Sequence, residues 1–200
     1  VEYVTTSYLP MLGIEPSLGR WFEPAYDQVG AGHYAVVSRQ TWRTQFGADL
    51  GIVGRAVRMG GELVTIVGVG PEGFNGSGAP LITDFWLSIS SVGVGGAFRI
   101  GNLERRQDHW YDVRARLAPG VTVAQAQSAM DGLATRLADE FPDLNRGRGI
   151  TVFGPGQVVI HPSVDGFLAP AAIVLLGIVG LILVLACANL ANLQIVRGLS

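Results

Sequence analysis

A single cysteine, Cys187, occurs in 200 residues, so the chain has no intramolecular disulfide and no thiolate cage for a metal. Its stability must come from a packed core. Charge is scarce too: 15% of residues are charged and the formal net charge is -2, which leaves no basic field for nucleic acid. The three histidines, His33, His109 and His161, stand neither one helical turn apart nor beside the cysteine, so no metal ligation is expected. No G-x-x-x-x-G-K-[ST] sequence is present, and the chain is not expected to bind ATP through such a loop. The first residue is Val1, and no basic segment with a short apolar run follows it, so no signal peptide is read there. An internal piece of a longer protein is expected.

What is abundant is apolar sequence at the end of the chain. From Gly166 to Val196 there is neither a charged residue nor a histidine. That run exceeds the roughly 20 residues needed to cross a hydrocarbon layer, and it predicts one transmembrane helix with Pro170 in its first turn and Arg197 beyond its far end. Gly177, Gly180, Cys187, Ala188 and Ala191 recur at spacings of three, four and seven along it. Small residues at such spacings let a second helix approach closely, and Asn189 and Asn192, near the Arg197 end, are amides that a neighbouring helix could satisfy. Helix packing is the only site role assigned: Gly177, Gly180, Ala188, Asn189, Ala191 and Asn192. The organisation expected is a soluble domain over 1–165, the helix over 166–196 and the start of a cytoplasmic segment over 197–200.

The preceding residues alternate between strand and helix signals, which predicts an α+β domain with a mixed sheet and β-α-β units. A strand is expected over 1–6, then a short helical turn, Tyr8 to Leu12, capped by Ser7 and stopped by Gly13. Tyr34 to Val37 reads as a buried strand. Ser38 should cap a helix that turns Trp42 and Phe46 inward until Gly47 ends it. Arg55 to Met59 and Glu62 to Val69 flank Gly60-Gly61, a pair suited to a tight hairpin, with Val57 facing Val64. A further strand is expected over Asp84 to Ile89. His109 to Leu117 alternates as a strand, Ala118-Pro119-Gly120 turns, and Thr122 with Gln125 forms a capping box. The apolar stripe Val123, Ala126, Met130, Leu133, Leu137 and Phe141 then predicts a helix packed on a sheet and closed by Pro142, with strands at Ile150 to Phe153 and Gln157 to Ile160.

The chemistry-bearing motifs are thin. Gly68, Gly70 and Gly73 fit G-x-G-x-x-G after a strand, yet no helix signal follows to hold a pyrophosphate, so a glycine-rich turn is the reading. Ser77 lacks both the first glycine and the helix of a nucleophile elbow. Glu104, Arg105, Arg106, Asp108 and Asp112 make a solvated ionic cluster, and Asp139, Glu140 and Asp143 an acidic helix end. No catalytic residue, cofactor or metal is expected.

Three stretches in order are familiar: Tyr8 to Phe22 (YLPMLGIEPSLGRWF), Ala35 to Gly47 (AVVSRQTWRTQFG) and Val53 to Val69 (VGRAVRMGGELVTIVGV). They resemble the MacB-like periplasmic core domain of FtsX/MacB-type ABC transporter permeases. Ala186 to Leu193 (ACANLANL), with Arg197 after it, looks like the second transmembrane helix of the duplicated orphan permeases in that superfamily. The resemblance implies a permease subunit of a bacterial inner membrane. Its periplasmic domain would sit between two membrane helices and follow motions driven by a separate cytoplasmic ATP-binding subunit. The partners implied are membrane lipid, other helices of the same permease, that ATPase and, as an allowed state, a second copy. The alternative is a single-pass anchored binding or sensor module.

Overall fold

The computed structural model describes residues 1–28, 30–76, 82–94, 106, 111–158 and 162–198, with the backbone alone over 162–169 and at 191–193, 195, 196 and 198. Its described contacts divide the chain into two units, Val1–Phe153 and Gly154–Ser200.

The first unit is α+β, with six strands among the described residues: β1 (Glu2–Val4), β2 (Leu18–Gly19), β3 (Tyr34–Val37), β4 (Ala56–Met59), β5 (Glu62–Val69) and β6 (Phe85–Ser88). The strand order is β1-β6-β3-β5-β2, and β4 also pairs with β5. The sheet is mixed: β3 runs parallel to β5 and antiparallel to β6, which is itself parallel to β1. A parallel neighbour requires a crossover. Here it is α2 (Arg39–Phe46), which follows the four-residue helix α1 (Tyr8–Met11) in the chain. Ser38 starts α2 as expected, its hydroxyl accepting from Thr41 N at 3.1 Å, and Gly47 ends it at φ +61°. The hairpin β4-β5 turns on Gly60 and Gly61, both at positive φ, and Val57 stands opposite Val64.

An irregularity in β5 decides which side chains share a face. Ala35 pairs with Ile66 but Val36 pairs with Gly68, so Val67 is an extra residue in the ladder. The bulge inverts the alternation beyond it. Ile66 and Val69 therefore lie on one face with Val37, Trp42 and Ile52, while Val67 joins Val36, Trp86, Leu9, Phe22 and Tyr26 on the other. Both faces of the sheet are thereby packed, and Ala35, Val36, Val37, Ile66, Val69 and Trp86 are fully buried.

Toward the end of this unit the structure departs from the sequence pattern. Helix α3 (Val123–Glu140) opens on the expected capping box, with Thr122 Oγ1 accepting from Gln125 N and Gln125 Oε1 accepting from Thr122 N. Its predicted stripe is half-buried along its length, and no residue of the helix is fully buried, so α3 is not packed into a sheet as expected. Neither 111–117 nor 150–153 pairs as a strand, nor do 157 and 158; 109, 110, 159 and 160 fall outside the described residues. Alternation readies a segment for pairing, but a strand forms only where a neighbour presents its backbone in register. Val113 is 93% exposed. The β-α-β unit is β3-α2-β5 rather than one built around α3. Pro142 closes α3 and also opens a further turn, α4 (Pro142–Asn145). Ser7 makes no side-chain cap on α1; its hydroxyl lies 3.2 Å from that of Thr5.

The second unit is dominated by α5 (Pro162–Gly198). Pro170 falls inside this helix rather than in its first turn, removing the N–H that would bond the carbonyl of residue 166. Pro170–Leu190 has a mean hydropathy of 3.0 with none of it buried in the protein, which is the length and composition of a membrane span.

Candidate functional site

The glycine-rich turn after β5 is the motif with the strongest claim to chemistry, and its surroundings give Gly68 and Gly70 a packing role while Gly73 serves its positive φ of +79°. Gly68 pairs with Gly19 across β5 and β2, and a Cβ on Gly68 would stand 2.3 Å from the Arg20 carbonyl oxygen. A Cβ on Gly70 would press on the Trp86 ring at 3.0 Å. Past Gly73 the described chain runs to residue 76 without opening a helix, so the strand–turn–helix order of a dinucleotide-binding loop is not seen among the described residues.

The same turn is fastened from several sides. Ser17 Oγ donates to the Gly70 carbonyl at 2.9 Å, Gly70 N donates to Val37 O at 2.8 Å, and Phe74 stacks on Trp86 at 5.1 Å. Glu72 faces two cations of α2, Arg43 at 3.2 Å and Arg39 at 3.8 Å. The Arg43 pair is solvent-exposed and worth about 0.2 to 1 kcal/mol, while Arg39 is half-buried. Glu2 receives the indole N–H of Trp86 at 3.0 Å, the hydroxyl of Thr83 at 3.3 Å and that of Tyr8 at 3.4 Å. Gly76 fits beside it because a Cβ there would lie 2.9 Å from the carboxylate. The constellation consumes its carboxylate, indole and hydroxyl groups in mutual hydrogen bonds and ties β1 to β6 and to both ends of the loop between β5 and β6. Nothing in the sequence marked Glu2, because two of its donors, Thr83 and Trp86, are distant in the chain and reach it only in the fold.

Among the described residues, no group of three or more His, Cys, Asp or Glu side chains is arranged to hold a metal ion. Ser77, His109, His161, Glu104, Arg105 and Asp108 lie outside the described residues. Arg106 sits over the ring of Phe141, 4.0 Å from its centroid, at the end of α3. Asp139, Glu140 and Asp143 are exposed there. Burial raises the pKa of the Tyr3 hydroxyl above its ordinary value.

The residues predicted for helix packing all fall on α5. Gly177 and Gly180 are open surface, since a Cβ at either would meet nothing within 4 Å, and Cys187, Ala188 and Asn189 are exposed. At about 100° per residue, Gly177, Gly180 and Ala188 share an arc of roughly 80°. Ala191 and Asn192 follow in the same helix beyond the apolar span.

Compared with known families, residues 1–133 match the model of the MacB-like periplasmic core domain. No curated protein matches the chain.

Proposed function

The chain belongs to the MacB-like periplasmic core domain family, a family of ABC-transporter permease type, and from that membership we propose that it is a permease subunit working mechanically rather than chemically. In this reading the domain lies outside the cytoplasm of a bacterial inner membrane, α5 crosses that membrane, and a separate cytoplasmic ATPase drives motions that the helix passes to the domain. The work serves export or envelope signalling. The observation that carries the reading is the union, in one chain, of a periplasmic-domain family match over 1–133 and an apolar, uncovered helix over Pro170–Leu190. Lipid covers most of that helix, and Gly177, Gly180, Ala188, Asn189, Ala191 and Asn192 serve packing against other helices of the permease. The domain boundaries read from the sequence, 1–165 and 166–196, belong to the same proposal, and a second copy is compatible with it.

The test is purification of the intact gene product from its native host in mild detergent. A stoichiometric ATP-binding subunit bringing vanadate-sensitive ATPase activity is the expected result. Its absence, with no membrane span besides α5 in the intact protein, would favour the other reading, a single-pass anchored binding or sensor module. That reading draws on the one candidate span found among the described residues.

A further inference from the structure

Between α4 and the second unit, residues 146–153 run back along α3 without regular structure. A turn begins the run, with Arg148 N donating to Asn145 O at 3.0 Å and Gly147 at φ +75°. Farther along, one side chain engages the backbone on both sides of Thr151. Gln127 Nε2 donates to the Ile150 carbonyl at 2.7 Å, and Val152 N donates to Gln127 Oε1 at 2.7 Å. A carbonyl and an N–H two residues apart are what one residue of a parallel neighbouring strand engages, so the carboxamide stands in for the missing strand. The second Nε2 hydrogen bonds Asp131 Oδ1 at 2.7 Å, one turn along α3, which fixes the carboxamide's orientation. Where the sequence pattern promised a strand at Ile150 to Phe153, the structure supplies a single peptide-like clamp.

The position of the clamp gives it a consequence. Among the described residues, Val152 is the first backbone group met along the chain from α5 (first residue Pro162) that is hydrogen-bonded to a regular element of the first unit. We propose that Gln127 is the joint at which force arriving along the chain from α5 is handed to α3, a positioning residue for mechanical coupling. This rests on the mechanical reading above, but its test does not need the ATPase.

The experiment uses the full chain in detergent micelles, with Cys187→Ser and handles at Arg136→Cys on α3 and Pro155→Cys beyond the clamp, pulled in an optical trap. Amide exchange of Val152 is followed in parallel. In Gln127→Leu, which keeps the shape and loses all three bonds, the first rupture force falls by half or more and Val152 exchanges about tenfold faster or more. Asp131→Ala, which leaves the two backbone bonds, retains most of the rupture force. Gln127→Asn, one methylene too short to reach, repeats the loss should the leucine variant fold poorly. An unchanged rupture force in both Gln127 variants overturns the joint, whether or not an ATPase co-purifies. A weakened joint beside a missing ATPase would leave the clamp standing and remove the transporter.

Discussion

Gly19 and Gly68 face each other where β2 meets β5, and the close approach of the two backbones leaves no room for a methyl group. A Cβ on Gly19 would stand 2.4 Å from the Val67 carbonyl oxygen, at a φ of +74° that side chains resist. Gly68→Ala is therefore expected to cost about 2 to 3 kcal/mol in a urea titration, an overpacking loss against backbone that cannot move aside. The same substitution at Gly73, where nothing lies within 4 Å of the added carbon, meets no such clash. There the cost is only that of the positive φ. A phosphate-binding role for the motif would make no distinction of this kind. At Tyr3 the shift has a definite sign. Its pKa is raised by burial, so its contribution is fully present below the unfolded value of about 10 and is lost as pH climbs through the folded value. Tyr3→Phe should flatten the alkaline limb of a stability-against-pH curve, and an unaltered limb would assign that loss to other groups.

At the scale of elements, what was legible in the sequence was whatever local chemistry dictates. Ser38 and Gly47 bound α2, Thr122 and Gln125 open α3, and Gly60-Gly61 turns the hairpin with Val57 opposite Val64, because caps and turns are made by residues near one another in the chain. The bulge at Val67 was not legible, since it arises from pairing with β3. The stripe of α3 was read correctly as a face and incorrectly as a buried one: periodicity reports which side of a helix is apolar, not what covers it. This has a measurable counterpart. Leu133→Ala on the half-buried stripe should cost under about 1.5 kcal/mol, whereas Leu9→Ala, fully buried beneath Trp86 and Phe22, should cost about 2 to 5 kcal/mol in the same denaturant series. Equal losses would mean that α3 is buried in solution.

Over the whole molecule, the family and the membrane span come from different parts of the chain and support one another. The match over 1–133 is to a periplasmic domain family, and Pro170–Leu190 is long and apolar enough to cross a membrane. The apolar helix was plain in the sequence because length and composition alone mark a segment able to cross a membrane. The side chains of Ala191 and Asn192 lie outside what is described, and the helix-packing role of the six α5 residues awaits substitution. Gly177→Leu and Gly180→Leu together should weaken association with the rest of the permease in detergent without altering the melting of the 1–153 unit. The measurement bearing most directly on an extracytoplasmic domain is thiol labelling of Glu62→Cys, exposed at the hairpin tip, in a Cys187→Ser background within the intact protein. With the outer membrane permeabilised and the inner one sealed, a membrane-impermeant maleimide should label residue 62 fully. Labelling only after the inner membrane is broken would place the domain in the cytoplasm and contradict the permease reading.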